Sequence, residues 1–199
     1  SALNFFLRSG VGSRSTISLV LAVLLFGLSG CATQAPTGES LPEGSLSRIG
    51  RFAVKTEQAN RAPEAIQGGF VWRDTVAQLT LDLTNPFGSV LARVTVNSSG
   101  ASLERANGEV MQTMTPDSLV DQALGQSLPV QGLRAWLRIQ QKPQPGMRVL
   151  ERDTQGRIVA FEQDGWSARL SNFDALGPRL ISLIRAETGR NMSVRLVVD

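Results

Sequence analysis

The chain has 199 residues, 42% of them hydrophobic, which is enough for one domain with a substantial core and not for two. It contains no histidine and a single cysteine, so Ser-His-Asp and Cys-His catalysis and the usual zinc sites are excluded. The acids stand at no metal-ligand spacing, and the formal charge of +3 falls to +1 without the first 30 residues, which hold Arg8 and Arg14 and no acid; neither an enzyme nor a nucleic-acid binder is expected.

The chain opens with two arginines followed by the apolar run "ISLVLAVLLFGL" at 17–28, too short for a comfortable transmembrane helix, and then small residues. A signal peptide over residues 1–30 is the expected reading. Leu28-Ser29-Gly30-Cys31 at its end resembles a bacterial lipobox, in which Cys31 is lipid-modified and becomes the mature N-terminus. Several acyl chains, at about 0.8 kcal/mol per buried methylene, make a firm anchor. Ala32 follows, where an Asp would imply retention at the inner membrane, so the outer membrane is the expected address. Residues 31–47, rich in Pro, Gly, Ser and Thr, read as a lipidated flexible tether.

From residue 48 to 199 the dominant period is two. Phe52 and Val54, then Phe70 and Trp72, then Leu79, Leu81 and Leu83, then Val90, Ala92, Val94 and Val96 each fall on one face, with polar residues between them. Trp166, Ala168 and Leu170 share a face, as do Met192, Val194, Leu196 and Val198. Asn107-Gly108, Gln155-Gly156, Asp164-Gly165 and "ETGRN" at 187–191 are hairpin turns. About ten strands in an antiparallel sheet follow. "TPDSLVDQALG" interrupts them with a helix predicted over 116–124, Thr at its N-cap, Pro at its first position and Gly125 at its end. A second helix is predicted over 128–140, with Val130, Leu133, Trp136 and Leu137 as its apolar stripe. Two amphipathic helices in the middle of a sheet need an apolar surface to cover, and the concave face of the sheet is the available one.

"LTNPFGSV" at 83–90 puts Asn85, Pro86 and Gly88 at the first, second and fourth positions of a type I turn, which leaves Phe87 near the tip. Either Phe87 folds back on Leu83 and Val90, or it is held out toward something apolar.

The stretches "RIGRFAVKT", "LTLDLTNPFGSV", "LPVQGLRAWL" and "QDGW", in that order behind a lipobox, resemble the LolB family of outer-membrane lipoprotein receptors. The resemblance implies a mainly β fold, an incompletely closed antiparallel β-barrel with short helices lidding an apolar cavity. It implies a periplasm-facing lipoprotein that receives acylated lipoproteins from the carrier LolA, holds their acyl chains and places them in the outer membrane, with no cofactor and no bond made or broken. A monomer is expected. Trp72, Leu81, Val94, Trp136 and Trp166 are the candidates for lining the cavity, with ordinary core as the alternative. Phe87 is then the residue directed at the membrane. Members of that family carry a longer amphipathic helix before the first strand, and the short stretch between Cys31 and Arg48 does not read as one. A carrier of another lipid or glycolipid, or a structural lipoprotein with a filled interior, are the other function classes that the residues allow.

Overall fold

The computed structural model describes residues 42–199 except 76 and 114. The signal, Cys31 and the tether up to residue 41 lie outside the described residues. The first strand, β1 (Leu46–Gln58), starts two residues before the expected domain boundary, because Leu46 is already buried beneath the sheet. Then come β2 (Glu64–Asp74), β3 (Leu79–Thr84), β4 (Val90–Asn97), β5 (Gly100–Arg105) and β6 (Val110–Thr113). Two helices follow, α1 (Pro116–Leu124) and α2 (Val130–Trp136), and then β7 (Arg148–Arg152), β8 (Ile158–Gln163), β9 (Trp166–Phe173), β10 (Pro178–Glu187) and β11 (Arg190–Val198).

All eleven strands belong to one sheet, in the order β6-β5-β4-β3-β2-β1-β11-β10-β9-β8-β7, and every pairing is antiparallel. The chain therefore lays down one meander from β1 outward to β6, another from β7 inward to β11, and joins them where β1 meets β11. The edge strands β6 and β7 do not pair with each other, so the barrel is incompletely closed. The antiparallel sheet is the one expected from the alternation, with one strand more than the count of runs, and the open barrel is the one that the resemblance implied.

The period-two pattern of the sequence becomes one dry face. Along β1 every second residue from Leu46 to Thr56 is buried and every residue between is exposed. Register carries that face across the sheet. Trp72, Leu81, Val94 and Leu103 are successive cross-strand neighbours on β2 to β5, and Phe52, Leu196, Ile181 and Leu170 are neighbours from β1 through β9. All eight are buried. Directly opposed side chains on one face are the unit of sheet stabilisation.

The outer face solves a different problem. Asp82 projects there from β3, and Arg93 donates to it through Nε at 2.5 Å and Nη2 at 3.0 Å while Arg73 donates at 3.2 Å. The hydrogen bonds from Arg93, more than its charge, hold the Asp82 carboxyl below the ordinary carboxylate range against the opposing effect of burial.

Two glycines on the inward face of β1 and β2 set how closely the strands and their aromatics approach. Gly50 stands opposite Phe70 and Gly68 opposite Phe52. A Cβ on Gly50 would lie 2.1 Å from the Val197 carbonyl oxygen and 2.9 Å from the Phe70 ring; on Gly68 it would lie 2.2 Å from the Thr84 carbonyl and 3.0 Å from the Phe52 ring. Each ring covers the glycine across from it, an arrangement that rescues the missing side chain and fixes the rotamer of the ring. Because the nearest atoms are backbone, the sheet itself would have to shift. Gly50→Ala is expected to lower stability by about 1–3 kcal/mol, read from the urea midpoint; an unchanged midpoint would show that the strands can part there freely.

Candidate functional site

The concave face and the two helices enclose one predominantly apolar site. α1 forms where the sequence signals it. Pro116 takes the first position, Gly125 adopts φ +66 at the C-terminal end, and its N–H donates to the Asp121 carbonyl at 2.7 Å. Thr115 is in the N-cap position, but its side chain makes no capping bond to the backbone and instead contacts Ser118. α2 is shorter than the predicted 128–140 span. The Gln140 side-chain amide takes the Ala135 carbonyl at 2.5 Å, and the Gln140 carbonyl accepts from Ile158 N–H at 2.7 Å, which turns the chain toward β8 after Trp136. The predicted stripe of Val130, Leu133, Trp136 and Leu137 is buried throughout.

Beneath the helices lies a void of about 20 Å³. Its floor is Phe52, Phe70, Trp72, Leu81, Leu83 and Leu196 from the sheet; its roof is Leu128, Val130, Leu133 and Leu137 from α2 and its flanks. Of the candidates for lining, Trp72 and Leu81 border this void. Val94, Trp136 and Trp166 are buried but outside its lining. Val94 packs between Leu81 and Leu103. Trp136 stacks edge-on against Phe161 at 5.2 Å and donates its indole N–H to Gln163 at 2.9 Å. Trp166 lies under the Arg185 guanidinium at 5.7 Å. Phe52, Phe70 and Leu196, read as strand residues, and the α2 residues Val130, Leu133 and Leu137, read as a helix stripe, were not recognised as lining. The signal that could have found them is the same alternation, once register is known.

A void of 20 Å³ admits about one water, whereas sites for drug-sized ligands are on the order of 300–1,000 Å³. An elongated apolar guest can enter only if the helices move. Their attachment to the sheet is apolar underneath and polar at the margins. At the β2 end, buried Asp74 accepts from Arg134 Nε and Nη2 at 2.9 and 2.7 Å and from Arg138 at 3.3 Å. Across the other margin, Gln126, between the helices, accepts a hydrogen bond from the Thr56 hydroxyl and donates to Glu64 at 3.1 Å. Asp117 of α1 accepts the Gln131 N–H of α2 at 3.0 Å, coupling the helices to each other. Burial pushes the Asp117 carboxyl above its ordinary range despite that bond.

On the β3–β4 connection Asn85 organises the turn. Its carbonyl accepts Gly88 N–H at 3.0 Å, and its side-chain oxygen accepts Phe87 N–H at 2.9 Å and Ser89 N–H at 3.0 Å. Gly88 takes φ +88, a conformation that glycine adopts without strain. Phe87 is 93% exposed, so it does not fold back on Leu83 or Val90.

The family model described as outer membrane lipoprotein LolB matches residues 45–199. Similar curated proteins carry the name outer-membrane lipoprotein LolB. The one from Bordetella petrii is 49% identical over 174 residues, covering 86% of each chain. That from Cupriavidus pinatubonensis is 39% identical over 196 residues, covering 90% of this chain and 93% of the relative. That from Ralstonia nicotianae is 38% identical over 163 residues, covering 79% and 77%.

Two measurements test the attachment of the helices. Asp74→Ala leaves Arg134 and Arg138 without their shared carboxylate, so amide exchange in 130–137 is expected to speed up about tenfold or more while exchange in β1 and β11 is unchanged. Asp117 titrates in the opposite sense to a salt-bridged acid. With its folded pKa raised, its contribution to stability is complete at acid pH and is lost as pH rises from its ordinary value of 3.8 through the raised one. Asp117→Asn keeps an acceptor for Gln131 and has no charge to bury, so its melting temperature relative to wild type should climb between pH 4 and pH 7. A constant difference would refute this.

Proposed function

The chain belongs to the LolB family of outer-membrane lipoproteins, and on that premise we propose how its geometry serves the localisation of other lipoproteins. The family is a transport family and not an enzymatic one, and its partners are lipoproteins and the carrier LolA. In this reading the chain is anchored through Cys31 and acts as a monomer. It takes acylated cargo from a LolA-like donor, houses the acyl chains between the concave face and α1–α2, and passes them to the bilayer through the Phe87 turn.

The observation that carries this reading is the pairing of an apolar floor with an apolar roof whose bonds to the sheet at Asp74 and Gln126 lie at the rim. Moving the roof exposes Leu128, Val130, Leu133 and Leu137, at about 1.5–3 kcal/mol each. An acyl chain of about fifteen methylenes recovers about 0.8 kcal/mol for each one it buries. The two are of similar size. The guest replaces the contacts that the roof gives up, so the closed state protects the floor when no cargo is present and yields when cargo arrives.

Phe87 supports the second half of the task. Its turn is stiffened by three hydrogen bonds to Asn85, so little conformational freedom remains to be lost when the ring meets an interface. Burying a Phe there recovers about 1.5–3 kcal/mol, and a carboxylate in its place opposes entry.

One observation favours the rival reading of a structural lipoprotein: the interior is almost filled. A transfer assay separates the two. With the Cys31→Ala chain, LolA loaded with a lipoprotein, and liposomes, cargo bound to the chain and cargo in vesicles are scored separately. Wild-type sequence is expected to fill both pools in turn. Phe87→Glu should keep its melting temperature and its uptake but deliver cargo to vesicles about tenfold more slowly. No uptake by the unsubstituted domain would leave the structural reading standing; loss of fold in Phe87→Glu would show the ring to be part of the core.

A further inference from the structure

The concave face holds hydrogen-bond donors that no acceptor among the described residues meets. Trp72 lines the void, is 1% exposed, and has no partner for its indole Nε1 among the described residues. Directly opposite it on β1 stands Arg48, 3% exposed. Arg48 Nη1 donates to Asp174 Oδ2 at 2.6 Å, but Nε and Nη2 are buried without a partner among the described residues. Opposed residues of an antiparallel pair have Cβ atoms about 4.5–5.5 Å apart. Three unmet donors therefore belong to two neighbouring inward positions, Trp72 in the lining of the void and Arg48 beyond it, with Nη2 beside Gly177 where the chain leaves α2 at Leu137.

Leaving buried donors unmet is costly, and two apolar residues of similar shape would avoid the cost. Indole and guanidinium are donors only, so the missing counterpart must be an acceptor. Its charge is constrained as well. Asp174 balances Arg48, and the hydrogen bond from Arg48 holds the Asp174 carboxyl far below the usual carboxylate range, so that the pair is ionised and neutral overall. An entering anion would add an uncompensated buried charge; a neutral carbonyl adds none.

We propose that Trp72 and Arg48 recognise the carbonyl oxygen of an ester- or amide-linked acyl chain once α1 and α2 have moved, with the hydrocarbon running over Phe52, Phe70 and Leu81. The inference rests on the acyl-binding reading above and adds to it the polar group at which the chain is held. Selection is then for acylated cargo and not for any apolar chain.

The test compares two lipids that differ by one carbonyl, 1-monopalmitoylglycerol and 1-O-hexadecylglycerol, with palmitate as a third arm. Binding to the Cys31→Ala chain is measured by displacement of a fluorescent apolar probe. The wild-type sequence is expected to prefer the ester over the ether by about fivefold or more. Trp72→Phe, which keeps an aromatic ring but loses the indole N–H and some volume, should erase most of that preference by weakening the ester more than the ether, while the cavity it leaves lowers the melting temperature and weakens both lipids alike. Arg48→Lys keeps a cation for Asp174, loses the spare guanidinium nitrogens, and should act in the same direction. An ester-to-ether ratio that is unchanged in both variants overturns the proposal. So does tighter binding of palmitate than of the ester, which would make this a carboxylate site. Failure of the unsubstituted chain to bind either neutral lipid defeats the acyl-binding reading, and the carbonyl site with it.

Discussion

An eleven-stranded sheet whose inward face is apolar almost from edge to edge must keep that face dry, and here it cannot do so by closing on itself. β6 and β7 remain unpaired edges. The remaining work falls to the segment that links those two edges, and its helices present Leu119, Val120, Val130, Leu133, Trp136 and Leu137 as buried residues. Nearly everything else about the site follows from this one need. The roof is apolar because the floor is. Burial of hydrocarbon is non-directional, so floor and roof need only match in character and not in a fixed set of bonds. The directional bonds are kept to the rim, at Asp74, Gln126 and Asp117, where they set the position of the helices without filling the space beneath.

Most of the sheet was legible in the sequence because a half-buried strand writes its burial into every second residue. β1 is the clearest case, with its strict alternation from Leu46 to Thr56. α1 was legible to the residue because its ends carry local chemistry, Pro at the start and a glycine in the left-handed region at the finish. α2 was not, since its end is decided by Gln140 reaching back to Ala135 and by the pairing of Gln140 with Ile158, a partner 18 residues away. The mid-chain apolar stripe ran on past the point where that contact stops the helix.

The site was half legible for the same reason. Alternation assigns Trp72, Leu81, Val94 and Trp166 to the inward face but says nothing of which inward positions the helices leave uncovered. That depends on where α2 lands, and it lands so that Trp136 fills the region beside Phe161 and leaves the gap above Phe52, Phe70 and Trp72. Phe87 could be read either way from its neighbours. The decision is made by the two bonds from backbone N–H groups to the Asn85 side chain, which hold the tip of the turn away from the sheet. Arg48 carried no signal at all, being one arginine among the many charges of a β-rich chain; only its place on the buried face of β1 distinguishes it.

The meeting of β1 with β11 has a consequence for how the molecule comes into being. The first strand of the domain and the last lie side by side in the middle of the sheet, matched over nine residue pairs from Gly50–Val198 to Gln58–Arg190. Each flanking meander can zip up hairpin by hairpin, through neighbours close in sequence, but the central seam joins positions separated by most of the chain, and such contacts form slowly. The floor of the site straddles that seam, with Phe52 on one bank and Leu196 on the other. A chain made N-terminus first therefore has no complete apolar basin until its final strand is available to pair with its first, and the two banks of the floor come together in one late step.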